Sequence, residues 1–436
     1  MRVHFIGIGG IGLSGLARFM KHEGYEVSGS DIKWTPLLRK LQEEEIEVFV
    51  PQQASNISSD IDLVIYSAAI KPHNPELQAA KKAGIKTLSR REALPLILGG
   101  KKVYAVAGAH GKSTTSAILA SILKDANAII GAESKDFGSN VHFSNSQTVV
   151  FEADESDASF LNSNPYCAIV TNAEPEHMEF YNHNLDLFYD TYAKFLEQAK
   201  VRIINAEDPF LGSLNMEMIA LNPSEDIKNL EYFLKDDEPY IRFELRDFGE
   251  FEVWGFGRHI ALDASLAILA AMRELGLDEI RRNLKNYRGI KKRFDIVEKR
   301  DDLIIIDDYA HHPTEIEATL ASLKEFARLK GIEDITIVWQ PHKYSRVLDN
   351  LEGFVRCFLP NANLVILPVW AAGEEPVDID FAKHFAHHKP LFADRLQKDN
   401  GEVVLLKNNQ KLHAIKKGLV IGFGAGDITY QLRGIS

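Results

Sequence analysis

From Arg2 to about Leu98 the chain alternates short, β-rich apolar runs with stretches of helical spacing. The runs are "VHFIGI", "YEVSGSD", "LVIYSAA" and "IKTLS"; the helical stretches include Leu13 to Glu23 and Pro75 to Lys82. That alternation predicts parallel strands joined by crossover helices, a doubly wound sheet. Gly99 and Gly100 interrupt it before the run "VYAVAG". From Lys101 the pattern is longer and less regular, with strands predicted in "TVVFEAD", "YCAIVTN" and "VRIINAED" and helices at Ser113 to Lys124 and Leu185 to Gln198. Short β-like runs between charged turns fill Glu231 to Trp254, and "RHIALDASLAILAAMRELG" predicts an amphipathic helix ending at Gly276. A basic stretch, "YRGIKKRFD", precedes a third restart. There "LIIIDDYAHH", "ITIVWQPH" and "NLVILPVW" read as strands followed by polar residues and a helix, as in a parallel sheet with functional residues at its carboxyl ends.

The 436 residues, 45% of them apolar and 26% charged, are enough to bury large cores and favour two to four domains. A net charge of -12, from 50 basic and 62 acidic residues, argues against wholesale binding of nucleic acid or an acidic membrane, because phosphate surfaces select basic ones. An anionic ligand must therefore be held by a local site. No apolar run reaches the roughly 18 residues of a membrane span, and "MRVHFIGIGG" carries no charged-then-apolar leader. Cys167 and Cys357, far apart in apolar segments, read as buried thiols of a reducing compartment, the cytoplasm by default.

Six stretches carry candidate chemistry. In "HFIGIGGIGLSGLA", Gly7, Gly9 and Gly12 follow a predicted strand and open a helix, and Asp31 ends the next strand; the pattern suits any nucleotide diphosphate, or a tight turn with no ligand. "AVAGAHGKSTTSAIL" is a phosphate cradle with shortened spacing, GxxGKS in place of GxxxxGK[ST]. Lys112 can put a cation on the β- and γ-phosphates and Ser113 a hydroxyl on Mg2+, unless the turn merely exposes a lysine. Glu152, Asp154, Glu155 and Asp157 in "FEADESDASF" repel one another unless a cation or solvent relieves them. Asn172, Glu174, Glu176 and His177 end another apolar run; His177 reads as a metal ligand, which would admit Mn2+ as well as Mg2+, or as a surface histidine. The third region places Asp307, Asp308, Tyr309, His311 and His312 after one strand and His342, Lys343 and Arg346 after the next. Spacing gives no zinc site there, and Lys343 and Arg346 suit a carboxylate or phosphate.

Taken in order, these motifs resemble the Mur ligases, the ATP-dependent amide-forming enzymes of peptidoglycan synthesis, over nearly the whole chain. "HFIGIGGIG", "SGSD", "GAHGKSTT", "EADESDASF", "DDYAHHPTE" and "QPHKYSR" are most similar to the member that adds the first amino acid, L-alanine, to UDP-N-acetylmuramate. The resemblance implies an α/β protein of three domains: 1–98, Rossmann-like, for the UDP-sugar; 99–290, a P-loop ATPase-like domain for ATP; and 291–436, Rossmann-like, for the amino acid and the rest of the ATP site. Hinges are expected near Gly99 and at Arg288 to Arg293. It implies Gly9, Gly10, Asp31 and Ser67 on the UDP-sugar, and Gly108, Ala109, His110, Gly111, Lys112, Ser113 and Thr114 around the phosphates. Ser113 and Glu155 would hold one Mg2+, and His177 with Glu155 a second. Tyr309, His311, His342 and Arg346 would face the reacting centre, where an acyl phosphate forms and L-alanine attacks it. A cytoplasmic monomer or homodimer is expected, with no nucleic-acid or membrane partner.

One departure stands out: the family's His-Asn, two residues, then Asn falls on "RHIALDAS", which puts Ile260 and Asp263 at the asparagine positions, Asp263 beside the nucleotide. Isoleucine makes no hydrogen bond and an ionised aspartate only accepts, so weaker adenine binding is expected. Three rival readings are a ligase that attaches a recycled tripeptide to the same nucleotide sugar, an NAD-dependent dehydrogenase suggested by GxGxxG, and a non-catalytic nucleotide-sugar sensor.

Overall fold

The computed structural model describes every residue except His177, Asn400 and Ser436. The chain divides into two compact units: Met1–Asn229, Phe243–Phe251 and Ala261–Arg288 form one, and Leu230–Arg242, Glu252–Ile260 and Gly289–Ser436 the other.

The first unit opens with β1 (Arg2–Ile6), α1 (Ile11–His22), β2 (Glu26–Ser30), α2 (Pro36–Glu43), β3 (Glu47–Phe49), β4 (Leu63–Tyr66), α3 (Pro75–Lys82), β5 (Lys86–Ser89) and α4 (Arg90–Ile97). Its five strands run parallel in the order β3-β2-β1-β4-β5. Strand order reverses at β1, and in such sheets the crevice beyond the strands' carboxyl ends at that point is where ligands bind. The continuous apolar run in β1 is explained by burial on both faces, Val3, Phe5 and Ile6 being fully enclosed. α4 starts sharply because Ser89 and Glu92 form a reciprocal capping box.

The chain continues into β6 (Lys102–Ala107), α5 (Lys112–Ile122), β7 (Asn127–Ser134), β8 (Ser139–His142), β9 (Thr148–Glu152), β10 (Cys167–Val170), α6 (Leu185–Gln198), β11 (Val201–Asn205) and β12 (Ile219–Leu221). These strands form a sheet ordered β12-β11-β10-β6-β9-β7-β8, parallel except where β8 pairs with β7. β6 therefore lies between β10 and β9, and the loops leaving all three strands emerge side by side. One apolar core, including Phe5, Leu16, Leu94, Ile129, Val103 and Phe151, joins this sheet to the first.

The helix predicted to end at Gly276 ends instead at Ala271 and is not amphipathic, since every residue from Asp263 to Ala271 is buried. A helix apolar all round belongs in an interior. Gly276, with φ -76°, lies outside the left-handed region a terminating glycine uses; it caps the start of the next helix, Leu277–Leu284.

In the second unit a six-stranded sheet runs Asp295–Lys299, Leu303–Asp308, Gly418–Phe423, Ile335–Trp339, Asn363–Ile366, Leu391–Phe392, with only the first pair antiparallel. The three predicted strands are present. Gly418–Phe423, inserted between two of them from late in the chain, was not anticipated. Neither was the antiparallel sheet of Arg395–Asp399, Glu402–Lys407 and Gln410–Ile415. A helix follows the first two predicted strands, but after Asn363–Ile366 the next is the single turn Phe381–His384. Both cysteines are buried and free. Among the described residues no helix is long and apolar enough to cross a membrane.

Candidate active site

At the switch point of the first sheet, Gly7 and Ile8 donate their amides to Ser30 O at 2.8 and 3.0 Å, and Gly9 N–H donates to Asp31 Oδ2 at 2.8 Å. Gly9 allows that approach, since a Cβ there would sit 2.6 Å from the carboxylate oxygen. Ser67, at the end of β4, lies against Gly7, its hydroxyl accepting from Ala69 N–H at 3.2 Å. The structure thus brings Gly9, Asp31 and Ser67 to one turn, with Gly10 capping α1.

In the second sheet the predicted phosphate loop runs from β6 into α5, and Lys112 is the first helical residue. Gly111 precedes it at φ 83°, in the left-handed region, and a Cβ there would meet Asp263 Oδ1 at 2.5 Å. Side chains from the neighbouring strands pin the loop: Asn172, after β10, accepts from His110 N–H at 3.2 Å and donates to His110 O at 2.9 Å. Glu174 Oε2 lies 3.2 Å from His110 Nε2. Lys112 Nζ donates to Gly108 O, to Ala109 O at 3.2 Å and to Glu155 Oε1 at 3.0 Å. Ser113 Oγ donates to Glu152 Oε1 at 3.0 Å, and Glu152 Oε2 accepts from Gly131 N–H at 2.7 Å. Ala109 and Thr114 are partly buried on either side of this contact.

Burial opposes the charge on Lys112, but the Glu155 and Glu152 carboxylates outweigh it and raise its pKa. Burial raises Glu152 and Glu155 against the pull of that ammonium. Asp154 goes the other way despite its burial: Arg90, with the backbone and side chain of Ser156, holds it down to about 2. His177 lies outside the described residues, and among the described residues no cluster of three or more His, Cys, Asp or Glu side chains is assembled for a metal ion.

The second unit gathers the remaining candidates. Tyr309 is 37% exposed, and His311 stands edge-on to both Tyr309 and His342, ring centroids 5.2 and 5.8 Å away. His311 Nδ1 lies 3.0 Å from Tyr309 O, and its backbone N–H donates to Glu315 Oε2 at 3.0 Å. His342 Nδ1 accepts from Arg346 Nη1 at 2.9 Å. Burial lowers His311 to about 4, aided by Arg346 and Arg293 and opposed by Glu315. Burial with Arg346 and Lys343 does the same to His342. Both imidazoles are therefore neutral near pH 7, and the positive charge of the cluster belongs to Arg293, Lys343 and Arg346.

Residues the motifs did not single out as site members complete these groups. Glu152 orients Ser113, Arg90 ties Asp154 and Asp157 to α4, and Arg293 pairs with Glu315 at 3.3 Å. Glu152 was visible only as one acid among several, and Arg90 carried no local pattern.

Sequence models of three domains match the chain: the Mur ligase family catalytic domain over residues 2–102, the Mur ligase middle domain over 106–271, and the Mur ligase glutamate ligase domain over 292–411. A curated UDP-N-acetylmuramate--L-alanine ligase of Campylobacter curvus is 54% identical over 433 residues, covering 99% of each chain. One of Helicobacter pylori is 53% identical over 435 residues, covering 99% of this chain and 96% of its own. The solved structure of a UDP-N-acetylmuramate-alanine ligase from Thermotoga maritima superposes with a TM-score of 0.80 at 27% identity, covering 99% of this chain and 97% of that one. With family models over three successive stretches of the chain and relatives 53% and 54% identical over nearly all of it, the chain belongs to the Mur ligase family.

Proposed function

We propose that this protein joins L-alanine to the carboxylate of UDP-N-acetylmuramate, using ATP to activate the acid, a step of peptidoglycan synthesis. The observation that carries this reading is the phosphate loop, in which Lys112 at the head of α5 faces Glu155 with Ser113 beside it, in a chain 54% identical to a ligase of that name. A carboxylate does not condense with an amine in water until one oxygen becomes a good leaving group. Its oxygen attacks the terminal phosphoryl of ATP and ADP departs, leaving an acyl phosphate. The amine of L-alanine then attacks the acyl carbon and phosphate is expelled.

Phosphoryl transfer of this kind needs positioning and charge neutralisation above all. Lys112 supplies a fixed cation, and the first amides of α5 supply donors to the phosphates. Residues 1–98 hold the nucleotide sugar through Gly9, Gly10, Asp31 and Ser67. Residues 99–290 hold ATP, and residues 291–436 use Tyr309, His311, His342 and Arg346 for the amino acid and the departing phosphate. Neutral His311 and His342 add no positive charge of their own beside Arg346.

Mg2+ fits the oxygens present: Glu155 Oε2 is buried without a hydrogen bond, 3.0 Å from the Lys112 ammonium, and Ser113 Oγ, on the helix that this lysine opens, donates to the neighbouring Glu152. An ion that keeps waters and phosphate oxygens as most of its ligands needs only such a pair from the protein. Bound there, it would neutralise charge on the polyphosphate. The test is phosphate release from ATP and UDP-N-acetylmuramate with each amino acid in turn. Release that depends on L-alanine is expected; release that depends on a tripeptide and ignores L-alanine would overturn the reading.

A further inference from the structure

His342 and Arg346 meet across a strained turn. Lys343, between them, has φ 65° and ψ 131°, a positive-φ backbone costly for any residue but glycine, and the helix Tyr344–Asp349 starts at the next residue. Through this turn Arg346 Nη1 reaches His342 Nδ1 at 2.9 Å. That is the one hydrogen bond the guanidinium makes among the described residues, and no carboxylate pairs with it there. Nε and Nη2, which share an edge, are therefore uncommitted.

Such a backbone persists only where its surroundings hold it. Here the holding segment is Trp370–Glu374. Trp370 N–H donates to Pro341 O at 2.8 Å and Lys343 N–H to Trp370 O at 2.9 Å, His342 and Trp370 forming an isolated parallel bridge. The chain then reverses: Glu374 N–H donates to Ala371 O at 3.0 Å across Ala372 and Gly373, both at positive φ, 51° and 90°, as in a type I′ turn. The reversal returns Glu374 to the start of the helix that carries Arg346. There Oε1 accepts from Ser345 Oγ at 2.6 Å and Oε2 from Ser345 N–H at 3.1 Å. These bonds, aided by the Lys343 ammonium, hold the carboxyl below the usual range, so it is ionised with both oxygens engaged by Ser345.

We propose that Glu374 is a positioning residue for the amino-acid substrate: by clamping Ser345 it keeps the Lys343 turn in the form that sets Arg346 on His342 and leaves the Nε/Nη2 edge for the substrate's carboxylate. This rests on the function proposed above. An amino acid brings to the reaction one carboxylate that must be held without reacting, and a guanidinium edge matches it with two parallel hydrogen bonds. If the turn relaxes, Arg346 loses the orientation of that edge while the residues assigned to ATP and the nucleotide sugar are untouched.

The experiment measures L-alanine-dependent phosphate release. Glu374→Ala is expected to raise the KM for L-alanine about tenfold, with kcat and the KM values for ATP and UDP-N-acetylmuramate within about twofold. Glu374→Gln, which can still accept from Ser345, recovers part of the loss. Ser345→Ala keeps the backbone donor and raises the same KM by about threefold. Combined with Glu374→Ala it adds nothing further, because the carboxylate acts through Ser345. An unchanged KM for L-alanine in Glu374→Ala overturns the proposal, as do equal rises for all three substrates or additive losses in the double variant. Wild-type protein that releases no phosphate with L-alanine overturns instead the functional reading on which the proposal rests.

Discussion

Two strand–glycine–helix turns in the first unit use the same backbone device for different ends. β1 leads through Gly7 and Gly9 into α1, and β6 leads through Gly108 and Gly111 into α5. Each has a carboxylate pressed against a glycine, Asp31 on Gly9 and Asp263 on Gly111, within 2.6 and 2.5 Å of where a Cβ would be. The side chains after the glycines differ. The first turn continues with Ile11, Gly12 and Leu13, the second with Lys112, Ser113 and Thr114. Backbone amides at a helix start can hold a diphosphate, and the first turn offers little else. Moving a phosphoryl group also requires a cation and a metal-binding oxygen, which only the second turn supplies. Flanking strands complete the contrast: β2 and β4 bring Asp31 and Ser67, whereas β9 and β10 bring Glu152 and Asn172.

The sharpest way to break that comparison is Lys112→Ala. If the lysine serves transfer and the first turn serves holding, the variant loses L-alanine-dependent phosphate release by on the order of a thousandfold or more, and calorimetry finds its affinity for UDP-N-acetylmuramate unchanged within about twofold. Comparable losses in both assays would mean that the two turns do not divide the work.

Both turns could be read from sequence because everything that makes them is local: an apolar strand, glycines at fixed offsets, then helical spacing. The same locality explains Asp31, one strand away, and Leu185–Gln198, whose predicted limits coincide with the helix observed. What sequence withheld depends on pairing across distance. Glu152 acts on Ser113, 39 residues away, and Arg90 on Asp154, 64 residues away, and no spacing rule links either pair. Gly418–Phe423 has an apolar run like its neighbours but sits between strands from more than 70 residues earlier, so its place depends on the whole sheet. Gly276 misled for a different reason: a glycine after an apolar helix signals an end, but burial at every position from Asp263 to Ala271 removes the amphipathic stripe by which the helix's length would be judged.

A smaller effect is expected from the first turn. Asp31→Ala removes the acceptor that fixes Gly9 N–H, leaving that amide's direction unset. One charge-assisted hydrogen bond at a binding turn is worth about tenfold in affinity. The KM for UDP-N-acetylmuramate should rise by about that factor with the KM for ATP unchanged. A shift in ATP affinity of the same size would show that the first turn is coupled to nucleotide binding in the second.

The smallest effect tests the carboxylate behind the second turn's glycine, the counterpart of Asp31 in the first. Asp31 accepts a hydrogen bond from its glycine, but Asp263 stands behind Gly111 in the loop assigned to a polyphosphate, where a negative charge is unfavourable. Asp263→Asn keeps the shape, which the tight contact with Gly111 requires, and removes the charge. The Kd for ATP should fall by roughly threefold, modest because Lys112 and bound cations already offset much of the repulsion. The expected sign separates electrostatics from packing: a larger residue at 263 would displace Gly111 and weaken ATP, whereas an isosteric neutral one relieves only the charge. An unchanged Kd would mean that Lys112, raised and held by Glu155 and Glu152, alone sets the field at the phosphates. Then the acid behind the second glycine, like the one behind the first, acts through the backbone it braces.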